Sequence, residues 1–414
     1  MTASADAAGR SRIADPALAP EGHRRIEWAA QHMPVLHRLA QERLSDGVLR
    51  GCRVAVVVHL EAKTACLVLA LRAAGAEVVA AGSNALSTQD TVCAALVERG
   101  VEVHARHGVP ADEFTADLIA VAETAPELVI DDGLELTRRM AEHRPDLYER
   151  LRGVSEETTT GVARLRALEA QQNLPFAAIA ANDARCKHMF DNPYGTGQST
   201  LTAVLALTNL LAAGCEFCIV GYGWVGKGLA KYAEGMGGRV VVVDVDPVAA
   251  LEAYMDGHRV APLEQALPDA DVVVTATGVV GALGADAIPH LKDGVLLANA
   301  GHHDREIEVE ALGPGEEVRP GITQHELPGG GAAYVLVDGR LVNIAGAQGH
   351  PVEIMDLSFS VQALAARHLA TAQLPAGVHR LPPELDREIA RTKLATLGIE
   401  LAEATPARLG LVDE

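Results

Sequence analysis

The stretch Gly221-Tyr-Gly-Trp-Val-Gly226, set between two apolar runs, constrains this chain more than any other feature. Phe217-Cys-Ile-Val220 before it reads as a short buried strand, Lys227 to Met236 after it as a helix, and Arg239 to Asp244 as a second strand. Two strands joined this way must lie parallel, because only a crossover helix returns the chain to the same edge. Gly221 permits the tight turn, Gly223 lets a phosphate approach the main chain, and Gly226 lets helix and strand pack closely. Trp224 and Val225, between the glycines, are read as cofactor contacts, and the N-terminus of the helix offers free amide hydrogens that suit a pyrophosphate. Asp244 ends the second strand, where a carboxylate can take the adenosine ribose hydroxyls of NAD and repel the extra phosphate of NADP. Glycines in this pattern also occur in plain structural turns. The flanking strand, helix, strand and acid together make it a dinucleotide site.

The motif lies past the midpoint of 414 residues, so another domain precedes it. A net charge of −20 argues against a nucleic-acid or anionic-membrane partner, because phosphate surfaces recruit clustered Lys and Arg. No apolar run reaches the roughly 20 residues that span a bilayer. Residues 1–20 carry no basic-then-apolar leader and read as a flexible tail, and a cytoplasmic location is expected. Cys215 and Cys218 have redox or zinc spacing, but a single pair entering a buried strand reads as two small core residues. No metal is expected.

Upstream, Cys52–His59 forms a near-continuous apolar strand, followed by a helix over 62–74 and a strand over 76–81. Val101–His104 and Leu128–Asp131 continue the alternation, so a second parallel sheet covered by helices is expected over 21–191. The polar residues closing those strands, His59, Ser83-Asn84 and Asp131-Asp132, are the ligand-facing candidates. The Rossmann-type domain is placed at 192–349, with later strands at Asp271–Thr275, Val295–Asn299 and Arg340–Ile344. The helical segment Val352–Thr371 lies beyond it and is read as crossing back, so that 350–390 completes the first domain. A loose end with Pro375, Pro382-Pro383 and Pro406 follows, 391–414 being a short C-terminal segment. The fold class is therefore α/β, a Rossmann-type NAD-binding domain inserted in a second α/β substrate-binding domain.

Four polar islands fall at strand ends: Val58–Thr64, Asp131–Gly133, Ser155–Gly161 and Asn182–Asn192. Each has a plain reading as a cap, a solvated loop or a hinge, and Lys187 with Asp191 is also the spacing of a surface ion pair. Beside a nicotinamide they suit other work. Removing hydride from an alcohol needs a group to take the hydroxyl proton, and a lysine with its pKa lowered by burial and steadied by a carboxylate can do so.

Several blocks resemble the S-adenosyl-L-homocysteine hydrolase family, in one order over most of the chain. They are Ser87-Thr-Gln-Asp90, Ser155-Glu-Glu-Thr-Thr-Thr-Gly161, Asn182-Asp, Phe190-Asp-Asn192, Tyr222-Gly223 with Val225-Gly-Lys-Gly228, Asn299 with Gly301-His302, Gly339–Asn343 and Gly349-His-Pro351. The resemblance implies a resident NAD, transient oxidation of a ribose 3′-hydroxyl, loss of the acidified 4′ proton, expulsion of the 5′ thiol and addition of water. By position it assigns Lys187 and Asp191 to the 3′-hydroxyl, Glu157 to the ribose hydroxyls, and Asn182 to orienting Lys187. Asp132, His59 and His302 fall to the 4′ proton and the 5′ leaving group or water. Thr158, Thr159, Thr160, Asn192, Asn299, Ala300, Gly301, Asn343 and His350 are implied NAD contacts. Thr88, Gln89 and Met355 are implied substrate contacts.

Glu61 and Lys63 stand where the common family version has Thr and Glu, as in its shorter archaeal and thermophilic branch. A lysine donates where the adenine amino group needs an acceptor, so the base is open between adenine and hypoxanthine. Leu134 follows Asp132-Gly133, and Gln348 precedes Gly349-His350; both are expected to shape the substrate pocket. Two alternatives to cleavage of S-adenosylhomocysteine stand: S-inosylhomocysteine hydrolysis, and the same keto chemistry run as a 4′,5′-dehydratase on a non-thioether nucleoside. A homotetramer or homodimer is implied by resemblance.

Overall fold

A computed structural model describes residues 7–301 and 304–402. Two sheets organise them. The first is all parallel, in the order β15-β6-β5-β4-β1-β2-β3. Its strands are β1 (Arg53–Val58), β2 (Glu77–Gly82), β3 (Glu102–His104), β4 (Leu128–Asp131), β5 (Gly153–Glu156), β6 (Ala177–Ala180) and β15 (Gly377–His379). Runs such as Val54–Val58 carry no polar residue on either face because helices cover both, and two separate apolar clusters form there.

The second sheet runs β12-β13-β14-β11-β10-β7-β8-β9. It contains β7 (Glu216–Val220), β8 (Arg239–Val243), β9 (Arg259–Val260), β10 (Val272–Thr275), β11 (Val295–Asn299), β12 (Gly315–Arg319), β13 (Ile322–Glu326) and β14 (Ala332–Leu336). All pairs are parallel except β12–β13 and β13–β14, an antiparallel edge on a Rossmann-type core. Each sheet reverses its strand order once, between β1 and β4 and between β7 and β10, and such switch points are where open α/β sheets leave a crevice.

The expected strand at Arg340–Ile344 is instead a turn and a short helix, Val342–Ala345. Asp338 and Gly339 lie at φ +57 and +75, and the Asn299 amide donates to the Gly339 carbonyl, so the chain bends off the sheet there. β14 takes the place beside β11. The described part of the segment read as a loose end is ordered: β15 pairs with β6, and Pro383 opens a helix to Thr396, proline at a first turn losing no internal hydrogen bond; Pro406 lies outside the described residues. At the other end, Arg12 pairs with the chain beside β3, its amide donating to the Val103 carbonyl at 2.8 Å, so the described part of 1–20 is not a free tail.

The helix Val352–Thr371 crosses to the first sheet and packs on β4, β5 and the helix Pro34–Arg43. Its Asp356 accepts from the amides of Val35 and Leu36 at 3.1 and 2.8 Å, capping that distant helix. Among the described residues no helix is long and apolar enough to cross a membrane.

Candidate active site

The carboxyl ends of both sheets face one cavity of about 640 Å³. From the first switch point come His59, just past β1, and Asp132, just past β4. From the second come Gly223, Trp224 and Val225 after β7, and Ala276 and Thr277 after β10. A smaller cavity of about 180 Å³ adjoins it and shares His59 and Asp132 in its wall.

On the floor lies a buried polar centre. The short helix Arg185–His188 presents Lys187, whose Nζ donates to Asp191 Oδ1 at 3.0 Å and lies 3.6 Å from Glu157 Oε1. Asp191 Oδ2 accepts from Ser358 Oγ at 2.9 Å and sits 3.3 Å from His350 Nδ1. His350 Nε2 in turn meets Thr196 Oγ1 at 3.0 Å. Gln362 donates to Glu157 Oε2 and takes a hydrogen bond from Ser155 Oγ at 2.6 Å. Ser358 and Gln362 both ride on Val352–Thr371, so the crossing helix builds this centre from behind.

Burial favours a neutral Lys187, but the Asp191 and Glu157 carboxylates outweigh it and hold the ammonium above its ordinary range. The sequence-based expectation of a lysine lowered by burial is corrected here: two carboxylates in a closed space beat desolvation. Burial would raise Asp191 as well, yet Lys187 and His350 keep it well below the usual carboxylate range. Glu157 goes the other way. Burial pushes it up to about 7, against the pull of Lys187 and with Asp191 adding to the rise.

Across the cavity, His59 Nε2 lies 3.6 Å from Asp132 Oδ2, and Ser83 Oγ donates to that same oxygen at 2.7 Å. Beside them Glu61 caps its helix by accepting from the Lys63 amide at 3.0 Å. The Lys63 ammonium lies 3.1 Å from Glu61 Oε2 and donates to the Gln348 carbonyl at 3.1 Å.

The dinucleotide turn has the form its glycines require. Gly221 sits at φ +99, and a Cβ there would come 2.9 Å from the Ala276 carbonyl oxygen. A Cβ on Gly226 would strike the Gly221 carbonyl, whereas one on Gly223 would meet nothing within 4 Å, leaving the main chain open. The helix Trp224–Gly235 has no side-chain cap, so its first amides are free for an anion. Asn343 Oδ1, on the cavity wall, is buried without a partner. An open turn, free amides and an orphaned amide oxygen fit a dinucleotide with its carboxamide. Asp244 lies off the cavity wall; its oxygens accept from the amides of Tyr222 and Asp246 at 2.6 and 2.8 Å, which fixes the carboxylate at the turn.

Of the other sequence-predicted residues, Gln89, Thr159, Thr160, Asn182, Asn192, Ala300, Gly301 and Met355 line the cavity. None of the described hydrogen bonds joins Asn182 to Lys187. Thr158 lines it too, but its hydroxyl donates to Glu156 and accepts from the amides of Gly133 and Gly161, the work of a cap. Asn299 is fully buried behind the wall, where its Oδ1 accepts from the Gly301 amide at 2.8 Å. Thr88 is buried, with its hydroxyl donating to the Asn84 carbonyl. Leu134 does not reshape the pocket: at φ +57 it turns the chain into the next helix and packs its side chain into the core of the first sheet. His302 lies outside the described residues.

Sequence reasoning named Ser87 only as part of a family block, and missed Thr196, Thr277 and Phe359 on the cavity wall and two buried carboxylates behind it. Glu156 accepts from the amides of Gly133, Leu134 and Thr158. Glu306 does the same for Thr277 and Gly278 after β10. Each acid fixes the loop at a switch point, and only Glu156, lying in a motif, carried a signal in the sequence.

A two-sheet α/β protein with a dinucleotide turn facing a buried lysine–carboxylate centre belongs to the class that keeps a nicotinamide cofactor beside its substrate. Comparison with known proteins narrows the class. A family model described as "S-adenosyl-L-homocysteine hydrolase, NAD binding domain" matches residues 192–349, and one described as "S-adenosyl-L-homocysteine hydrolase" matches residues 10–147. A protein of Methanopyrus kandleri named S-inosyl-L-homocysteine hydrolase is 46% identical over 405 residues, covering 96% of each chain. Proteins named adenosylhomocysteinase from Thermococcus kodakarensis and Aeropyrum pernix are 45% and 47% identical, each over 95% of this chain and over 95% and 96% of their own. The chain belongs to the S-adenosyl-L-homocysteine hydrolase family, and its cofactor is NAD.

Proposed function

We propose that the protein hydrolyses the thioether of a nucleosidyl-homocysteine, S-adenosyl-L-homocysteine or its inosyl counterpart, to a nucleoside and homocysteine. The observation that carries this is the Lys187–Asp191–Glu157 centre, closed on one side by Ser358 and Gln362 and opening on the other into the cavity shared with the dinucleotide turn. When bound, NAD supplies a hydride acceptor that later returns the hydride. Lys187, held by Asp191, relays the proton of the ribose 3′-hydroxyl: its ammonium gives one proton to the Glu157 carboxylate 3.6 Å away as it takes the one from the 3′-oxygen, and the reverse transfer restores it, while Glu157 also holds the ribose hydroxyls. A ketone at C3′ acidifies the hydrogen on C4′, and the His59–Asp132 pair moves that proton and serves the 5′ sulfur and the incoming water. His302 takes part on the resemblance alone. Thr159, Thr160, Asn192, Asn343 and His350 hold the cofactor, and Gln89 and Met355 the substrate.

The relatives reported above carry hydrolase names, which favours thioether cleavage over the dehydratase alternative. A specific observation supports the inosyl reading: the Lys63 ammonium has one N–H left after Glu61 and Gln348, a donor suited to the carbonyl of hypoxanthine. Incubating the purified protein with S-adenosylhomocysteine, S-inosylhomocysteine and a panel of 5′-hydroxyl nucleosides, followed by mass spectrometry, tests both. Free homocysteine supports the proposal and its source names the base; loss of water from a nucleoside with no thioether cleavage overturns it. We read the enzyme as a cytoplasmic homodimer or homotetramer without nucleic-acid or membrane partners, which light scattering and fractionation test.

A further inference from the structure

The hydrogen bonds around His59 determine which of its nitrogens is free to react. Its Nδ1 lies 2.6 Å from Ser87 Oγ, a contact compatible with either direction of donation. Ser87 resolves it. Its hydroxyl also lies 3.0 Å from the carbonyl oxygen of Asn84, which can only accept. A hydroxyl has one hydrogen, and with that hydrogen committed to Asn84 the Ser87 oxygen can only accept from Nδ1–H. A neutral His59 then carries its lone pair on Nε2, the nitrogen that faces Asp132 Oδ2 at 3.6 Å. The carboxylate oxygen is itself held by Ser83 Oγ at 2.7 Å, and the His59 carbonyl accepts from Thr64 Oγ1, so both partners are fixed. Ser87 closes the single turn Ala85–Ser87, so the turn that follows β2 delivers its hydroxyl to a histidine that follows β1.

We infer that Ser87 is a positioning residue that fixes His59 in the Nδ1–H form and so dedicates Nε2 to proton transfer in the cavity. In the neutral state Nε2 accepts a proton from the substrate; in the protonated state it gives that proton back. Ser87 Oγ keeps the Nδ1–H bond through both states. This rests on the proposed hydrolysis. It separates two halves of the reaction, because Lys187 and Asp191 lie across the cavity and make none of the described contacts with Ser87.

Single-turnover kinetics of the NAD-loaded enzyme test the inference on Ser87→Ala and Ser87→Thr. Reduction of bound NAD on substrate addition, read by absorbance, stays within about twofold in Ser87→Ala, while homocysteine release falls at least about tenfold, an imidazole in the wrong form forfeiting part of a general acid–base contribution of about 100-fold or more. Ser87→Thr, which keeps the hydroxyl, restores release. Nitrogen-15 NMR of the His59 ring shows the Nδ1–H form in the natural protein and loses that preference in Ser87→Ala. Unchanged release and an unchanged ring signature in Ser87→Ala overturn the inference, as does equal loss of NAD reduction and release. If the natural protein cleaves no thioether, the hydrolysis proposal falls, and the ring signature still decides the role of Ser87.

Discussion

Lys187 is nearly sealed from solvent, yet it is charged, because its carboxylate neighbours outweigh its burial. Such a group is legible from its i, i+4 partner Asp191, but the same spacing describes countless surface ion pairs. What separates the two is Ser358, Gln362 and His350, which come from far along the chain. Lys187→Ala is expected to abolish reduction of bound NAD on substrate addition; normal reduction in stopped-flow absorbance would remove Lys187 from the 3′-hydroxyl step. Glu157 gives a pH signature in stability. Its folded pKa, raised to about 7, lies above its unfolded value, so the folded chain holds the proton more firmly. That contribution is complete below the ordinary carboxylate range and is lost as pH rises to about 7. Urea midpoints of Glu157→Gln should therefore fall less between about pH 5 and about pH 7.5 than those of the natural chain, by up to about one proton's linkage. Equal slopes would place Glu157 in contact with solvent.

At the level of elements, the turn that presents Lys187 is too short to hold itself. Arg185–His188 has no cap of its own; Asp386 supplies one from the last helix, accepting from the Arg185 and Cys186 amides at 2.8 and 2.9 Å. Asp386→Ala leaves the buried Cys186 amide and the part-buried Arg185 amide unsatisfied and should cost about 1–3 kcal/mol in denaturant titration. The same variant should slow NAD reduction in the folded fraction, with Asp386→Asn recovering part of both. A loss of stability with an unchanged reduction rate would make Asp386 a cap and nothing more. Strands β1, β4, β7 and β11 were readable as apolar runs because parallel sheets bury both faces. Arg340–Ile344 misled for the same reason: its apolar residues are buried, but by a helix and a turn tied to Asn299. Pro382-Pro383 read as loose chain, whereas Pro383 marks a helix start.

Across the whole molecule, the two switch points face each other, so the sites proposed for cofactor and substrate open into one cavity rather than two separate clefts. A ligand bridging both sheets stabilises them together. NAD at about 1,000 times its dissociation constant should add about 4 kcal/mol to the apo protein, seen as a rise in melting temperature. NADP should give a much smaller rise, because Asp244 is pinned as a negative charge at the turn by two amides. Equal shifts from the two would remove Asp244 as the discriminator.

By itself the sequence determined the local chemistry: the dinucleotide turn from its glycines, the parallel sheets from their apolar strands, and the family from motifs in a fixed order. Those signals survive in one dimension because each depends on residues close together in the chain. Only the tertiary structure decided the charge on Lys187, the burial of Leu134, the cap from Asp386 and the hydroxyl on His59. Each of these depends on a partner brought from another element, and on the dielectric of a space that exists only once the sheets and the crossing helix have closed around it.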